Sequence, residues 1–348
     1  MMAIAKYLPR DEFALTICSL RNTGLAETAP RLARLGVPLV VAAFRPKQRS
    51  LRGIVRSLRQ QALINHLGAF DIQHSLDYTS SAFEAIVARS SRRRFVFSQR
   101  NMNEGGSSGC LRLKTKLATH AVAISSGTRS VLEQHGAAED RVTTIYNGID
   151  LDGIDFRHQP GARGANEVVL CVGQIVPRKR HADAVRTVAM LAAERPKAIL
   201  RIVGPVVDRS YQAELVMLAK ELNVSARVEF LGERADVSEL MRDADVLLLC
   251  SEHEGFGWVV VEAMAVGLPV VASDAEGPKE IIADPGTGFL IPVGDVRGYA
   301  QALRRLLDDR QLAASMAARA RLMVEERFQA RSMVAQLAVL YRRLAGAS

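Results

Sequence analysis

Cysteine pairs, long apolar runs and aromatic residues are all scarce in this chain of 348 residues. Its four cysteines are far apart and form neither a metal-ligand pattern nor a disulfide framework, as expected of buried thiols in a reduced compartment. No apolar run approaches the length that a membrane-spanning helix needs. The first residues also lack the apolar stretch and cleavage site of a secretory signal. We therefore expect a cytoplasmic globular protein.

The chain contains two successive series of alternating predicted strands and helices, separated by a polar stretch. With 48% apolar residues and a mean hydropathy of +0.05, a chain of this length predicts two domains. The polar stretch 155–167 resembles a linker. We predict an α/β protein with two Rossmann-like, doubly wound parallel sheets facing a cleft. The two domains are expected over residues 1–155 and 165–328, and a last helix in 329–348 is expected to pack back toward the N-terminal domain. The strands are predicted at 13–20, 37–44, 71–76, 94–99, 120–125, 142–147, 168–174, 198–204, 228–232, 245–251, 269–274 and 288–293.

The excess of positive over negative charge is confined to the first part of the chain. Residues 1–150 carry 21 Lys and Arg against 11 Asp and Glu, whereas residues 151–348 carry 25 against 26. Two clusters, 45–59 and 89–94, hold much of the excess. Such clusters bind nucleic acid or anionic lipid, or simply form a solvated basic face. Because they contain few aromatic residues and no nucleic-acid motif accompanies them, we expect no nucleic-acid partner and favour an anionic membrane surface, with the protein peripheral on its inner face.

The segment EGFGWVVVE (254–262) is the most informative part of the sequence. An apolar strand precedes it, so Glu254 is predicted in a loop and Glu262 inside the following buried helix, which ends at Gly267. Gly255 and Gly257 allow bare backbone to approach a ligand, and free N–H groups at a helix start suit a phosphate. The carboxylates can accept hydrogen bonds from hydroxyls beside that phosphate. A nucleotide sugar has these groups, although a solvated loop glutamate is the simpler alternative.

Several further motifs occur in a characteristic order and spacing. They are IYNGID (145–150), VGQIVPRK (172–179), VEFLG (228–232), GLPVVASD (267–274), GPKEII (277–282) and GTGFLIPVGD (286–295). With the Glu254/Glu262 pair, they resemble family 4 of the glycosyltransferases, which has the two-Rossmann GT-B architecture. The resemblance covers the second domain fully and residues 1–150 more loosely.

The resemblance implies roles for individual residues. Glu262 matches the carboxylate that accepts from the ribose hydroxyls, and Glu254 the one near the donor sugar. Lys179 matches the cation that neutralises the diphosphate, a task for which the family generally needs no metal or other cofactor. We therefore expect Lys179 and Glu254 to be catalytic. The donor-binding residues implied are Gly173, Gln174, Arg178, Lys179, Glu254, Gly255, Phe256, Gly257 and Glu262.

The chain departs from the family pattern at three places. Gln174 stands where the family usually has Arg, and the neighbouring Arg178 is the candidate to compensate. In the segment SQRNMN (98–103), Arg100 stands where many relatives have a His, so Arg100 or Asn101 is expected to face the cleft on the acceptor side. The family's first strand and its glycine-rich loop have no counterpart, so the N-terminal domain is expected to be incomplete, through a mis-assigned start or a truncation.

The implied function is retaining transfer of a hexosyl group from a UDP- or GDP-sugar to a glycan or lipid-linked acceptor, in cell-envelope or polysaccharide biosynthesis. A front-face reaction needs no enzymatic base, which fits the isolated positions of His74, His120 and His181; we expect these three to be structural. Two alternatives stay open: an inactive protein that still binds nucleotide sugars, and a nucleotide-sugar 2-epimerase.

Overall fold

The computed structural model describes residues 1–19, 25–41, 70–76, 82–100, 108–156 and 166–346. Within these residues, twelve strands form three sheets, and every strand pair is parallel. Each strand falls inside a predicted segment or within one residue of it, so the prediction of parallel α/β architecture is confirmed. The basic cluster 45–59 and Asn101 lie outside the described residues.

One continuous six-stranded sheet forms the core of the C-terminal lobe, the part of the chain from residue 166 to 328. Its order, β12-β11-β10-β7-β8-β9, is that of a doubly wound sheet. The strands are β7 (Glu167–Val172), β8 (Ala198–Val203), β9 (Val228–Gly232), β10 (Val246–Leu249), β11 (Val270–Ser273) and β12 (Phe289–Ile291).

Helices cover both faces of this sheet, which explains the near-continuous apolar sequence of its central strands. Alternate residues of β7 show the arrangement: Val168 and Leu170 belong to one buried cluster, Val169 and Cys171 to the other. The helices are α6 (His181–Leu191), α7 (Arg209–Glu221), α8 (Val237–Asp243), α9 (Trp258–Val266), α10 (Glu276–Ile281), α11 (Val296–Asp308) and α12 (Arg310–Arg327).

The strands of the N-terminal lobe, residues 1–156, fall into two sheets. β1 (Ile17–Ser19) pairs with β2 (Leu39–Val41), while β3 (Ile72–Ser75), β4 (Arg94–Gln99), β5 (His120–Ala123) and β6 (Val142–Thr144) form a four-stranded sheet in that order. No ladder among the described residues joins the pair to the sheet. The helices are α1 (Met2–Tyr7), α2 (Leu25–Arg34), α3 (Phe83–Ser90), α4 (Ser108–Leu117) and α5 (Ser126–Gln134).

The last helix, α13 (Ala330–Ala345), packs on the N-terminal lobe. Val334 and Tyr341 share a buried cluster with Ile4 of α1 and Val96 of β4. The chain crosses between the lobes beside Ile149, whose N–H donates to the carbonyl of Phe328 at 2.7 Å and whose carbonyl accepts from Ala330 at 2.8 Å. The lobes are therefore joined by backbone hydrogen bonds as well as by side-chain packing.

Candidate active site

The carboxyl ends of β7 and β10 open into one crevice of the C-terminal lobe. These strands are neighbours in the sheet, but the chain runs outward through β8 and β9 before it returns to β10. Connections that leave neighbouring strands in opposite directions create the crevice in which doubly wound sheets bind ligands. The two loops are held together because the N–H of Glu252 donates to the carbonyl of Arg178 at 2.9 Å.

The segment 254–257, hereafter the glycine loop, leads from β10 into α9. Gly257 is the residue before the helix and has φ +85°, a left-handed conformation that favours glycine. Helix α9 begins without a side-chain cap and ends at Gly267, φ +80°, as predicted. The N–H of Val260 donates to the Gly257 carbonyl at 2.9 Å, so the N–H groups that precede it are the ones available to an anion at this end of the helix.

Lys179 and Glu254 are brought together, as expected of two groups that serve one site. Nζ of Lys179 forms an ion pair with Oε1 of Glu254, and the Ser251 hydroxyl donates to the same carboxylate oxygen at 3.1 Å. Each of the paired side chains is only 13% exposed. Lys179 is therefore not a solvated surface cation, and removing either partner leaves the other charge poorly hydrated.

Gln174 and Arg178 also meet. The guanidinium of Arg178 donates to Oε1 of Gln174 at 3.4 Å, and both side chains are exposed. Gly173 lies beside Lys179, where a Cβ would make ordinary contact with Cε at 3.5 Å, so its φ of +156° rather than space favours glycine. The geometry thus places a second positive charge next to the neutral Gln174.

Glu262 lies one helical turn into α9, on the same face as Trp258. Burial raises the pKa of Glu262 to about 7, and a hydrogen bond with Trp258 acts in the opposite direction. A carboxyl with such a pKa changes charge near neutral pH, so its capacity to accept hydrogen bonds from hydroxyls depends on pH. Phe256, in contrast, has a buried ring that packs near Tyr146 and Phe328, so only its backbone can serve a ligand.

Arg100 follows β4 and lines a small pocket of about 50 Å³ in the N-terminal lobe. Ser98 and Asn147 are its other polar lining residues, and the remaining lining side chains are apolar. This pocket lies at the carboxyl ends of β4, β5 and β6, where doubly wound sheets hold their ligands. Arg100 thus lines a pocket of the N-terminal lobe, and the expectation that it faces the cleft on the acceptor side stays a prediction.

His74 and His120 have the burial and hydrogen-bond partners expected of structural residues, whereas His181 is buried but its Nδ1 has no hydrogen-bond partner among the described residues. The ring of His74 lies between the hydroxyls of Ser98 and Tyr341, at 2.9 and 2.6 Å, and burial lowers its pKa to about 3. His120 bonds to the Thr143 hydroxyl at 2.8 Å, and burial lowers the pKa of both His120 and His181 to about 4. All three are therefore neutral at physiological pH.

Sequence reasoning missed three residues near the site. Trp258, the single tryptophan, is 38% exposed beside Glu262, and its rarity was a usable signal. Tyr146 of the N-terminal lobe has its ring 6.4 Å from that of Phe256. Glu280 lies within the motif GPKEII, but no sequence feature distinguished it from a solvated helix residue.

Among the described residues, no cluster of His, Cys, Asp and Glu is arranged to hold a metal ion, and the expectation of metal-independent chemistry stays a prediction.

Two family models match the chain in succession. Residues 1–152 match the model of glycosyltransferase family 4, and residues 154–323 match that of the group 1 glycosyl transferases. Among curated proteins, the chain is 33% identical over 206 residues to N-acetyl-alpha-D-glucosaminyl L-malate synthase of Bacillus anthracis, covering 58% of this chain and 53% of that protein. It is 34% identical over 152 residues to the lipopolysaccharide core biosynthesis glycosyltransferase LpsE of Rhizobium meliloti, covering 44% and 43%. The chain spans about half the length of the curated relatives it matches.

A solved structure resembles the whole fold. The Anabaena protein HepE, in complex with UDP and glucose, superposes with a TM-score of 0.84 at 25% identity, over 98% of this chain and 94% of that one. Because both the lobes and their relative arrangement enter such a score, the two-lobed GT-B architecture is shown.

Proposed function

The chain belongs to family 4 of the glycosyltransferases, and we propose that it transfers a hexosyl group from a nucleotide sugar with retention of configuration. The proposed acceptor is a glycan or a lipid-linked molecule in envelope or polysaccharide biosynthesis. The observation that carries the proposal is the meeting of Lys179, Glu254 and the uncapped start of α9 at the switch point of the C-terminal sheet. LpsE, a lipopolysaccharide enzyme, supports the biosynthetic setting.

In the proposed reaction, Lys179 lies against the diphosphate. As the bond from C1 of the sugar to the β-phosphate oxygen breaks, negative charge grows on that oxygen, and Lys179, Arg178 and the amides of α9 stabilise it. The acceptor oxygen bonds to C1 on the same face and gives its proton to the departing phosphate oxygen. No side chain is then needed as a base. Glu254 accepts hydrogen bonds from sugar hydroxyls and Glu262 from the ribose.

The first donor to test is UDP-glucose. HepE, which shares this fold at 25% identity, was crystallised with UDP and glucose. GDP-sugars are the second donor class. For the acceptor, we propose the pocket beside Arg100, because it opens at the carboxyl ends of the N-terminal strands and combines one cation with an apolar wall.

Calorimetric titration with UDP- and GDP-sugars, combined with an assay for donor hydrolysis, tests this function. We expect one nucleotide sugar to bind and to release its nucleoside diphosphate slowly in water. Binding without release, even with a glycan array offered as acceptor, would indicate the inactive alternative. Conversion to an isomeric sugar nucleotide would indicate the epimerase. If no nucleotide sugar binds, the proposal is wrong.

We further propose that the N-terminal lobe docks on an anionic membrane through the α3–α4 face, defined as the outward sides of these two helices. Ile86 and Leu113 are 47% and 42% exposed there. Exposed cations occur on these helices, at Arg89, Arg112 and Lys116, and after α3, at Arg92 and Arg94. Exposed apolar residues together with positive charge match an interface of acyl chains and anionic headgroups. Within the described residues, no helix is both long enough and apolar enough to span a bilayer.

A further inference from the structure

Helix α10 lies directly against the glycine loop. The N–H of Gly277 donates to the carbonyl of Glu254 at 3.1 Å. A Cβ on Gly277 would lie 2.5 Å from the carbonyl carbon and oxygen of Phe256, so no other residue fits there without moving the loop. The position of Glu254 is therefore tied to the position of α10.

The other end of α10 reaches the N-terminal lobe. The carboxylate of Glu280 accepts hydrogen bonds from the backbone N–H of Ser126 at 2.8 and 2.9 Å, from the Ser126 hydroxyl at 2.6 Å and from the N–H of Gly127 at 3.3 Å. These donors form the first turn of α5. The Ser125 side chain already caps this helix through Thr128, so Glu280 satisfies the amides that the cap leaves over.

Charge and geometry both favour this contact. An anion at a helix start is stabilised by the partial positive charge of the free N–H groups. Charge-assisted hydrogen bonds are about twice as strong as neutral ones. Tyr146 also hydrogen-bonds to Glu280, and Arg327 lies on the other side, where its guanidinium is 3.5 Å from the Glu280 carbonyl oxygen. Residues of α5 and of the segment after β6 thus converge on one carboxylate, while α12 contacts the backbone of the same residue.

We infer that Glu280 is a positioning residue for glycosyl transfer: through α10 it fixes the N-terminal lobe, and with it the acceptor, relative to the glycine loop that holds the donor. The inference about lobe closure stands on the contacts above; its consequence for transfer rests on the proposed function. Misplacement by about 1 Å can cost a hundredfold in rate when two reactants must meet.

The variant Glu280→Ala tests the inference, with Glu276→Ala as its matched control. Glu276 is an exposed glutamate on the same helix, so its removal changes net charge equally without touching α5. Small-angle X-ray scattering is expected to show a larger radius of gyration for Glu280→Ala and not for Glu276→Ala. Ser126→Ala, which removes one of the donors, should give a smaller increase, and Glu280→Gln should retain part of the contact.

Activity gives the second readout. The groups proposed to bind the nucleotide all lie in the C-terminal lobe, so the affinity of Glu280→Ala for UDP should stay within twofold of wild type. Transfer to the acceptor found on the glycan array should fall at least tenfold in kcat, with KM for UDP-glucose little changed and partial rescue in Glu280→Gln.

An unchanged radius of gyration in Glu280→Ala would overturn the inference, as would a parallel loss of UDP affinity, which would mean that Glu280 acts on the donor site alone. If Glu280→Ala does not fold, the graded scattering of Ser126→Ala and Glu280→Gln decides. Scattering needs no substrate, so the inference about closure can survive even if no nucleotide sugar binds.

Discussion

The two lobes differ in how their sheets are built. Six strands of the C-terminal lobe form one ladder, and the cationic and acidic groups of the candidate donor site come from two loops on neighbouring strands, β7 and β10. The described strands of the N-terminal lobe form two sheets, and that lobe is held in place by contacts with the other, at Ile149, Tyr146 and Ser126.

The donor half-site (Lys179, Glu254 and the start of α9) and the acceptor half-site (the pocket beside Arg100) are therefore positioned by different contacts. The donor half-site is positioned within one sheet, so changes in the N-terminal lobe should leave nucleotide affinity intact. The acceptor half-site depends on the contacts between the lobes, so it should be sensitive to changes far from the pocket. Variants that alter one lobe, measured for both nucleotide affinity and transfer to the acceptor, test whether the two half-sites are independent.

The largest effect is expected from Lys179→Ala. Loss of the cation beside the leaving phosphate should reduce UDP release from UDP-glucose by about 10²–10³-fold in kcat, the range found for removal of one preorganised donor. Lys220→Ala, an exposed lysine of the same lobe, is the control and should have wild-type activity.

Stability must be measured in parallel, because Lys179→Ala leaves the carboxylate of Glu254 without its ion-pair partner. The melting temperature should fall and should recover in Lys179→Ala/Glu254→Gln, which removes the unpaired charge. Turnover should not recover with it. A double variant that regains both stability and activity would show that Lys179 only supports the fold.

The next effect is expected from Glu262→Gln, which should weaken UDP binding about 10–100-fold at pH 8, since hydrogen bonds to charged groups contribute about 1.5–3 kcal/mol. Because the pKa of Glu262 is raised to about 7, wild-type affinity should fall as pH drops below 7 and the carboxylate is protonated. Titration calorimetry of both proteins from pH 5.5 to 8.5 checks this; the variant corrects for protonation of UDP itself. Equal affinity of the two proteins at pH 8 would remove the ribose assignment.

The same substitution should have the opposite effect on stability. In the unfolded chain the carboxyl has an ordinary pKa near 4.3, so between about pH 4.3 and 7 the folded state binds more protons and wild-type stability falls as pH rises. Glu262→Gln removes this cost. Its free energy of unfolding should exceed that of wild type by about 3–4 kcal/mol at pH 8 and match it below pH 4.3. Glu239→Gln, on an exposed glutamate, should show no such dependence.

The sequence predicted local elements better than contacts between them. Strands 94–99 and 228–232 have their predicted bounds, because a β-rich apolar pattern is a local signal. Lys179 and Glu254 are 75 positions apart, and the resemblance placed them in one site without revealing their ion pair. Glu280 and Ser126 are 154 positions apart and in different lobes. Such a contact depends on how the lobes pack, for which this single sequence holds no periodic signal.

The smallest effect is expected at the α3–α4 face of the N-terminal lobe, where a single cation is one of several. Arg112→Gln should weaken binding to vesicles of phosphatidylcholine with phosphatidylglycerol about fivefold at low salt, since one cation near such a surface contributes about 1 kcal/mol. It should also reduce the salt dependence of binding. Leu113→Ser should weaken binding while leaving the salt dependence unchanged, because it removes only apolar contact.

Arg297→Gln, on an exposed arginine of the C-terminal lobe, is the matched control. Arg112→Gln, Leu113→Ser and Arg297→Gln should all bind UDP with wild-type affinity if UDP binding does not depend on these surfaces. Cosedimentation in which Arg297→Gln loses as much as Arg112→Gln would mean that net charge alone drives membrane binding and that the α3–α4 face is ordinary surface.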